Sequence, residues 1–226
     1  MSTSVLILGE SGTGKTCSLR NLDPAKTLLI QPVRKPLPFP SKGWKEIRSK
    51  GDGGNIFVCD NPAHIVAAML KAPQEIVVVD DWQYILANLF MRRRAEKSFD
   101  KFTDIGGAGF DIVRTASELA PNKRVYVLAH TTTDEFGKTR IKTLGKLLDE
   151  KIVIEGMFTT VLRTAVVDNS YQFSTHNNGA DTVKSPMGMF DSDLIENDLA
   201  AVDARICDYY GIEEDLTTTE TEEEIE

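Results

Sequence analysis

Short, nearly continuous apolar runs punctuate this chain, separated by stretches whose apolar residues recur at helical spacing. The runs at residues 5–8, 27–30, 56–59, 76–80 and 124–129 do not alternate with polar positions, as expected of strands covered on both faces. One helical pattern starts inside the glycine-rich segment 9–16 and ends by Asp23-Pro24. A second opens at Asn61-Pro62, with Asn as N-cap and Pro at the first helical position. A third covers about 82–97, and a fourth about 108–119, stopped before Pro121. This alternation predicts an α/β fold with a mostly parallel central sheet flanked by helices. After residue 150 the pattern changes. Residues 152–155, 158–163 and 171–175 read as C-terminal antiparallel strands, with a turn at Asp168-Asn169-Ser170 and a last helix over about 192–210. Two stretches predict no regular element. The proline-rich residues 32–44 suit neither a helix nor a central strand, and residues 131–151 are polar, basic and broken by Gly137 and Gly145.

Bulk properties narrow the class. The chain has 226 residues, 41% hydrophobic and 27% charged, which suits one domain with a substantial core. It has no apolar run near the roughly 20 residues that a membrane span needs. Its start leads straight into the run at 5–8, without the basic opening and long apolar stretch of a signal peptide. Cys17, Cys59 and Cys207 are odd in number and widely spaced, so neither a disulfide framework nor a zinc site is expected. A reducing cytoplasm is the expected location, with no membrane partner. The net charge of −8 is concentrated at one end. Eight of the 34 acidic side chains fall between Glu213 and Glu226 with no basic residue among them, leaving 26 acidic against 26 basic elsewhere. The division expected is a core domain at 1–212 and a disordered acidic tail at 213–226.

The chemistry begins at Gly9-Glu10-Ser11-Gly12-Thr13-Gly14-Lys15-Thr16, which matches in full the phosphate-loop pattern of Gly, four residues, then Gly-Lys-Thr. Glycines let successive N–H groups turn inward on phosphate oxygens, and the following helix start adds its positive end. Residues Glu10 through Cys17 are the expected ATP cradle. Lys15 would reach the outer phosphates and Thr16 would ligate Mg2+. The run Ile76-Val77-Val78-Val79 then delivers Asp80, a second candidate for the magnesium shell. Asp81 either polarises an attacking water or caps the helix opening at Trp82. His130 and Thr131, at the end of the strand 124–129, either sense the terminal phosphate or are ordinary polar residues at a strand end. Two further candidate strands lie between Lys15 and Asp80. That spacing suits ATPases of the RecA and AAA type, in which an extra strand separates the loop strand from the acidic strand. A small-molecule phosphotransferase, with the basic residues 140–146 as its lid, is the less favoured alternative.

The order of these motifs resembles that of the short RecA-core recombinases of bacteriophages, which are single-strand annealing proteins. The resemblance covers roughly residues 4–210. It rests on the glycine loop, Lys35-Pro36-Leu37-Pro38-Phe39, Asp100-Lys101-Phe102-Thr103-Asp104-Ile105 and Tyr126-Val127-Leu128-Ala129-His130-Thr131. It continues through Lys146-Leu147-Leu148-Asp149-Glu150-Lys151, Glu155-Gly156-Met157-Phe158 and Asn177-Asn178-Gly179-Ala180-Asp181 with Lys184-Ser185-Pro186. It implies a RecA-like P-loop NTPase core, assembly into a ring or filament, ATP-stimulated binding and annealing of single-stranded DNA, and residence in a bacterial host cytoplasm. Whether a separate single-strand-binding protein takes part is left open. A rival reading is an ATPase switch acting on protein partners.

The resemblance also points to two DNA-contacting loops, about 98–109 and 131–151. These carry or adjoin Lys97 and Lys101, with Phe99 and Phe102, and Lys138, Arg140, Lys142 and Lys146. Cations for phosphates and aromatics for stacking are what single-strand binding uses, although both loops also contain acids. Lys184 and Arg163 are candidates for a contact to a neighbouring subunit's phosphates, or are plain surface cations. One departure stands out. RecA-like enzymes usually place a glutamate after the strand that follows the loop helix, and here the matching place reads Leu29-Ile30-Gln31-Pro32. Hydrolysis is then slow, or relies on Asp81. The acidic tail either competes with DNA for a basic groove or serves solubility. A gain in low-salt DNA affinity on deleting it separates the two.

Overall fold

A computed structural model describes residues 1–49, 51–145, 148 and 151–213. The acidic tail beyond Glu213 and the candidate Lys146 lie outside the described residues.

The described residues form ten strands and four α-helices: β1 (Thr3–Leu8), β2 (Thr27–Gln31), β3 (Ile56–Val58), α1 (Pro62–Lys71), β4 (Ile76–Val79), α2 (Gln83–Arg92), α3 (Asp100–Glu118), β5 (Arg124–Ala129), β6 (Thr131–Thr133), β7 (Thr139–Ile141), β8 (Thr160–Val167), β9 (Ser170–Ser174), β10 (Leu194–Glu196) and α4 (Leu199–Tyr210). Eight strands make one sheet in the order β10-β9-β8-β1-β5-β4-β2-β3, and β6 and β7 form a separate hairpin. From β3 to β8 every pairing is parallel. β9 then adds antiparallel to β8, and β10 antiparallel to β9. The expected α/β class, mostly parallel sheet and antiparallel C-terminal strands are all present. So is the extra strand: β5 separates β1 from β4.

The unalternating runs are explained by cover on both faces. Leu6, Leu8, Val77, Val79, Val125 and Val127 point into one core with Ile65, Ile85, Leu86, Ile112 and Val113 of α1–α3. Their neighbours Val5, Ile7, Val78, Tyr126 and Leu128 point into a second core with Leu19, Trp44 and Val202 and Ile206 of α4. A buried ion cluster ties α4 down. Asp203 receives Arg124 Nε at 3.1 Å and Nη2 at 3.0 Å, together with the Tyr126 hydroxyl.

Several elements depart from expectation. The helix expected after the glycine loop is a six-residue 3-10 turn, Thr16–Asn21. Residues 152–155 form no strand, because Ile154–Met157 is a 3-10 turn with Ile154 and Glu155 buried. The last helix starts at Leu199, not near 192. Asp198 is its N-cap, accepting from Ala200 N, and β10 occupies part of the stretch before it. The stretch 98–109 is not a loop. α3 begins at Asp100 and runs for 19 residues; of its glycines, Gly109 is the one set by close packing, since a Cβ there would come within 2.7 Å of Leu86 and 2.9 Å of Trp82.

Candidate functional site

The site lies at the C-terminal ends of β1, β4 and β5. After β1 the chain enters the glycine loop, which is latched from two directions. Gly9 N–H donates to Ala129 O of β5 at 3.2 Å. Thr13 Oγ1 donates to Glu10 O at 2.8 Å and meets Thr164 Oγ1 of β8 at 2.6 Å. Among the described residues, the backbone N–H groups of Glu10, Ser11, Gly12 and Gly14 make no hydrogen bond to protein. Gly14 sits at φ +100°, and a Cβ there would meet the Tyr171 ring at 3.0 Å and Asn197 Oδ1 at 3.1 Å. Only glycine fits both the dihedral and the space. The unpaired donors, open on one side, form a concavity suited to an anion.

Lys15 is buried and donates to Gly9 O at 2.9 Å and Glu10 O at 2.8 Å. Burial lowers its pKa, against the opposing pull of the Asp81 and Asp80 charges. Thr16 Oγ1 lies 3.0 Å from Asp80 Oδ1. Asp80 directly follows β4, its N–H donating to Ile30 O of β2 at 2.9 Å, and its carboxylate is buried. Burial raises its pKa, and the neighbouring Asp81 charge adds to the effect. This hydroxyl–carboxylate pair is the donor set a magnesium ion uses when substrate phosphates and water complete its shell. Among the described residues no cluster of three or more His, Cys, Asp or Glu forms a protein-only metal cage. The residues present therefore fit ATP with Mg2+: Thr16 and Asp80 would hold the metal, and the loop amides and Lys15 the phosphates.

Asp81 adopts a left-handed conformation, φ +65°, which turns its side chain into the site. One oxygen lies 3.2 Å from His130 Nε2 and the other pairs with Lys35. α2 opens with no side-chain cap, so the capping role considered for Asp81 is not the one it takes. Burial works to raise its pKa, but the hydrogen bonds from His130 and Lys35 win and pull it to about 2. His130 is fixed in turn, its backbone N–H donating to Gln83 Oε1 at 3.1 Å and its ring edge-on to Tyr84. A cavity of about 260 Å³ joins the loop, Lys35, Pro36, Pro38, Asp81, His130 and Tyr171.

Lys35 was not foreseen. It lies in the proline-rich stretch, where no periodicity assigns it a direction, yet its ammonium ion-pairs with Asp81 and stands 3.5 Å from Asp80 Oδ2. Burial opposes its charge, but the two aspartates prevail and raise its pKa. Tyr171, half exposed beside Gly14, was likewise read only as a strand residue. The Lys-Pro-x-Pro-Phe motif was visible, but nothing local in it shows that it folds back over Asp80.

The other candidates are spread more widely. Lys138, Arg140 and Lys142 are exposed while Thr139 and Ile141 between them are buried, so the three cations share one face of the β6–β7 hairpin. Arg140 pairs with Asp134 at 2.8 Å. The hairpin starts at the residue after His130, and Lys142 N–H donates to His130 O at 2.7 Å, which connects its base to the cavity. Lys97 is exposed. Lys101 does not present its charge on a loop: it lies in α3, 8% exposed, donating to Glu96 O at 2.6 Å and lying 5.3 Å from the centroids of the Phe90 and Phe102 rings. Arg163 ion-pairs with Asp181 at 3.2 Å, and Lys184 bridges β8 through backbone bonds with Val161. A scan against protein-family models and a search of curated proteins find no match.

Proposed function

We propose that this chain is an ATP-dependent, homo-oligomeric single-stranded DNA-binding and annealing protein built on a RecA-like core. The observation that carries the nucleotide part is the meeting of Thr16 and Asp80, 64 residues apart in sequence, at 3.0 Å beside a loop with unpaired amides. β5 between β1 and β4 supports the RecA and AAA class, because it brings His130 to the same cavity. Thr16 and Asp80 would hold the magnesium, which would supply positive charge to offset that of the phosphates.

The DNA part rests on the motif resemblance and on where the basic hairpin springs from. Lys138, Arg140 and Lys142 face one way on a ribbon whose base is hydrogen-bonded to His130. Such a ribbon can follow what happens at Asp81 and His130, so nucleotide binding can bias DNA contact. Gln31-Pro32 stands where RecA-like enzymes carry a glutamate, and Asp81 is already engaged by Lys35 and His130; both favour slow turnover and ATP as an assembly switch. The test is fluorescence anisotropy on labelled single-stranded DNA, with and without ATP and Mg2+, alongside sizing of the assemblies. ATP with Mg2+ is expected to strengthen binding, and Lys15→Ala to abolish both nucleotide binding and that effect. ATP binding with no DNA binding would refute the annealing part. Undiminished ATP stimulation in Lys15→Ala would refute the site.

A further inference from the structure

Lys35 has an arrangement that a surface cation does not need. Its side chain crosses from the segment after β2 to a pair of aspartates at the end of β4, 46 residues away in sequence. The strap that carries it is held on both sides. Asn88 Nδ2 approaches Pro32 O at 3.5 Å, while Leu37 and Phe39 pack on the second core, Phe39 edge-on to Trp44 at 6.3 Å. Pro36 and Pro38 stiffen the backbone between these anchors and line the same cavity as Lys15 and Thr16. The ammonium therefore reaches the cavity that the glycine loop also lines, and is held there by its ion pair with Asp81.

We propose that Lys35 is a second phosphate-contacting residue, supplied in cis by this strap, and that it reads the terminal phosphate of the nucleotide. The proposal rests on the ATP reading above. Asp80 is shared between Thr16 and Lys35, at 3.0 and 3.5 Å. With Asp80 and Thr16 holding the metal, Lys35 would keep Asp81 as its anchor and would have ammonium protons to spare for a phosphate oxygen. Lys15 belongs to the loop itself, whereas Lys35 stands at the Asp80–Asp81 end, where the outermost phosphate would lie. The place that lacks the glutamate of RecA-like enzymes, Gln31-Pro32, leads directly into this cation, so the chain meets the terminal phosphate with positive charge instead of a general base.

The experiment is titration of wild type and Lys35→Gln with fluorescent ATP and ADP analogues in the presence of Mg2+. A charge-assisted hydrogen bond confined to the third phosphate makes the ratio of ATP to ADP affinity fall by about tenfold or more in Lys35→Gln, with ADP affinity little changed. Lys35→Arg should retain the wild-type ratio. If Lys35→Gln fails to fold with two aspartates left unneutralised, the double variant Lys35→Gln/Asp81→Asn removes that burden and should show the same loss of ratio. Equal changes in ATP and ADP affinity would overturn the proposal and leave the ATP reading standing. Wild-type protein that binds neither analogue would overturn both.

Discussion

Asp81→Asn isolates the ionic latch of the site. The substitution suits the position because asparagine, like aspartate, tolerates the left-handed backbone at φ +65°, so the change removes charge without adding strain. In the folded chain Asp81 sits near pKa 2 against an ordinary 3.8. At 1.36 kcal/mol per unit, that depression is worth about 2 kcal/mol at neutral pH. Part is returned on substitution, since the Asp81 charge is one cause of the raised pKa of Asp80. A net loss of about 1–2 kcal/mol is expected. The sign follows from the depression: the stabilisation is complete above the unfolded pKa and drains away as pH falls through about 2. Urea unfolding of the nucleotide-free proteins at pH 7, and at steps down to about pH 2.5, should show the difference between wild type and variant narrowing below about pH 4. A difference that stays constant over that range, or is absent at pH 7, would show that the Lys35–Asp81–His130 contacts do not stabilise the fold in the way derived.

Other expectations concern the frame. Asp203→Ala leaves Arg124, which is 2% exposed, with Glu75 at 3.3 Å and Asn122 O and removes the acceptor of the Tyr126 hydroxyl; it should cost about 2–4 kcal/mol in urea unfolding, and a loss below about 1 kcal/mol would mean that water reaches the cluster. Gly109→Ala places a methyl against Trp82 and Leu86 and should cost about 1–3 kcal/mol. The same substitution at Gly107, where an added Cβ meets nothing within 4 Å, should be neutral or mildly stabilising.

The sheet was legible because strands buried on both faces leave unbroken apolar runs, and Val77 to Val79 or Val125 to Leu128 can be little else. The meeting of the glycine loop with Asp80 could be expected because each is a contiguous segment at the end of a buried strand. What escaped was decided by tertiary contact. Three glycines at 106, 107 and 109 argue against a helix on propensity alone, but α2 crosses so near that Gly109 is required there. The start of α4 was misplaced because Asp198, its actual cap, follows other polar residues that serve as well on paper. The dipole expected behind the loop is small, since Thr16–Asn21 is only a short 3-10 turn; amides and lysines supply most of the positive potential. Lys35 is the clearest case. A lysine between prolines carries no periodic signal, and its partners are set only when β2 and β4 pair.

The position of β5 has a consequence for how the protein is made. Thr16 and Asp80 follow strands that are not neighbours, and the strand at residues 124–129 lies between those two, while the loop takes its Thr164 latch from β8. A chain that ends before β5 would lack that intervening strand, and with it His130 and Tyr171 of the cavity. On the ATP reading proposed above, nucleotide would bind the finished sheet and shift the folding equilibrium towards it by mass action, so that retention of ATP would double as an assay of complete folding.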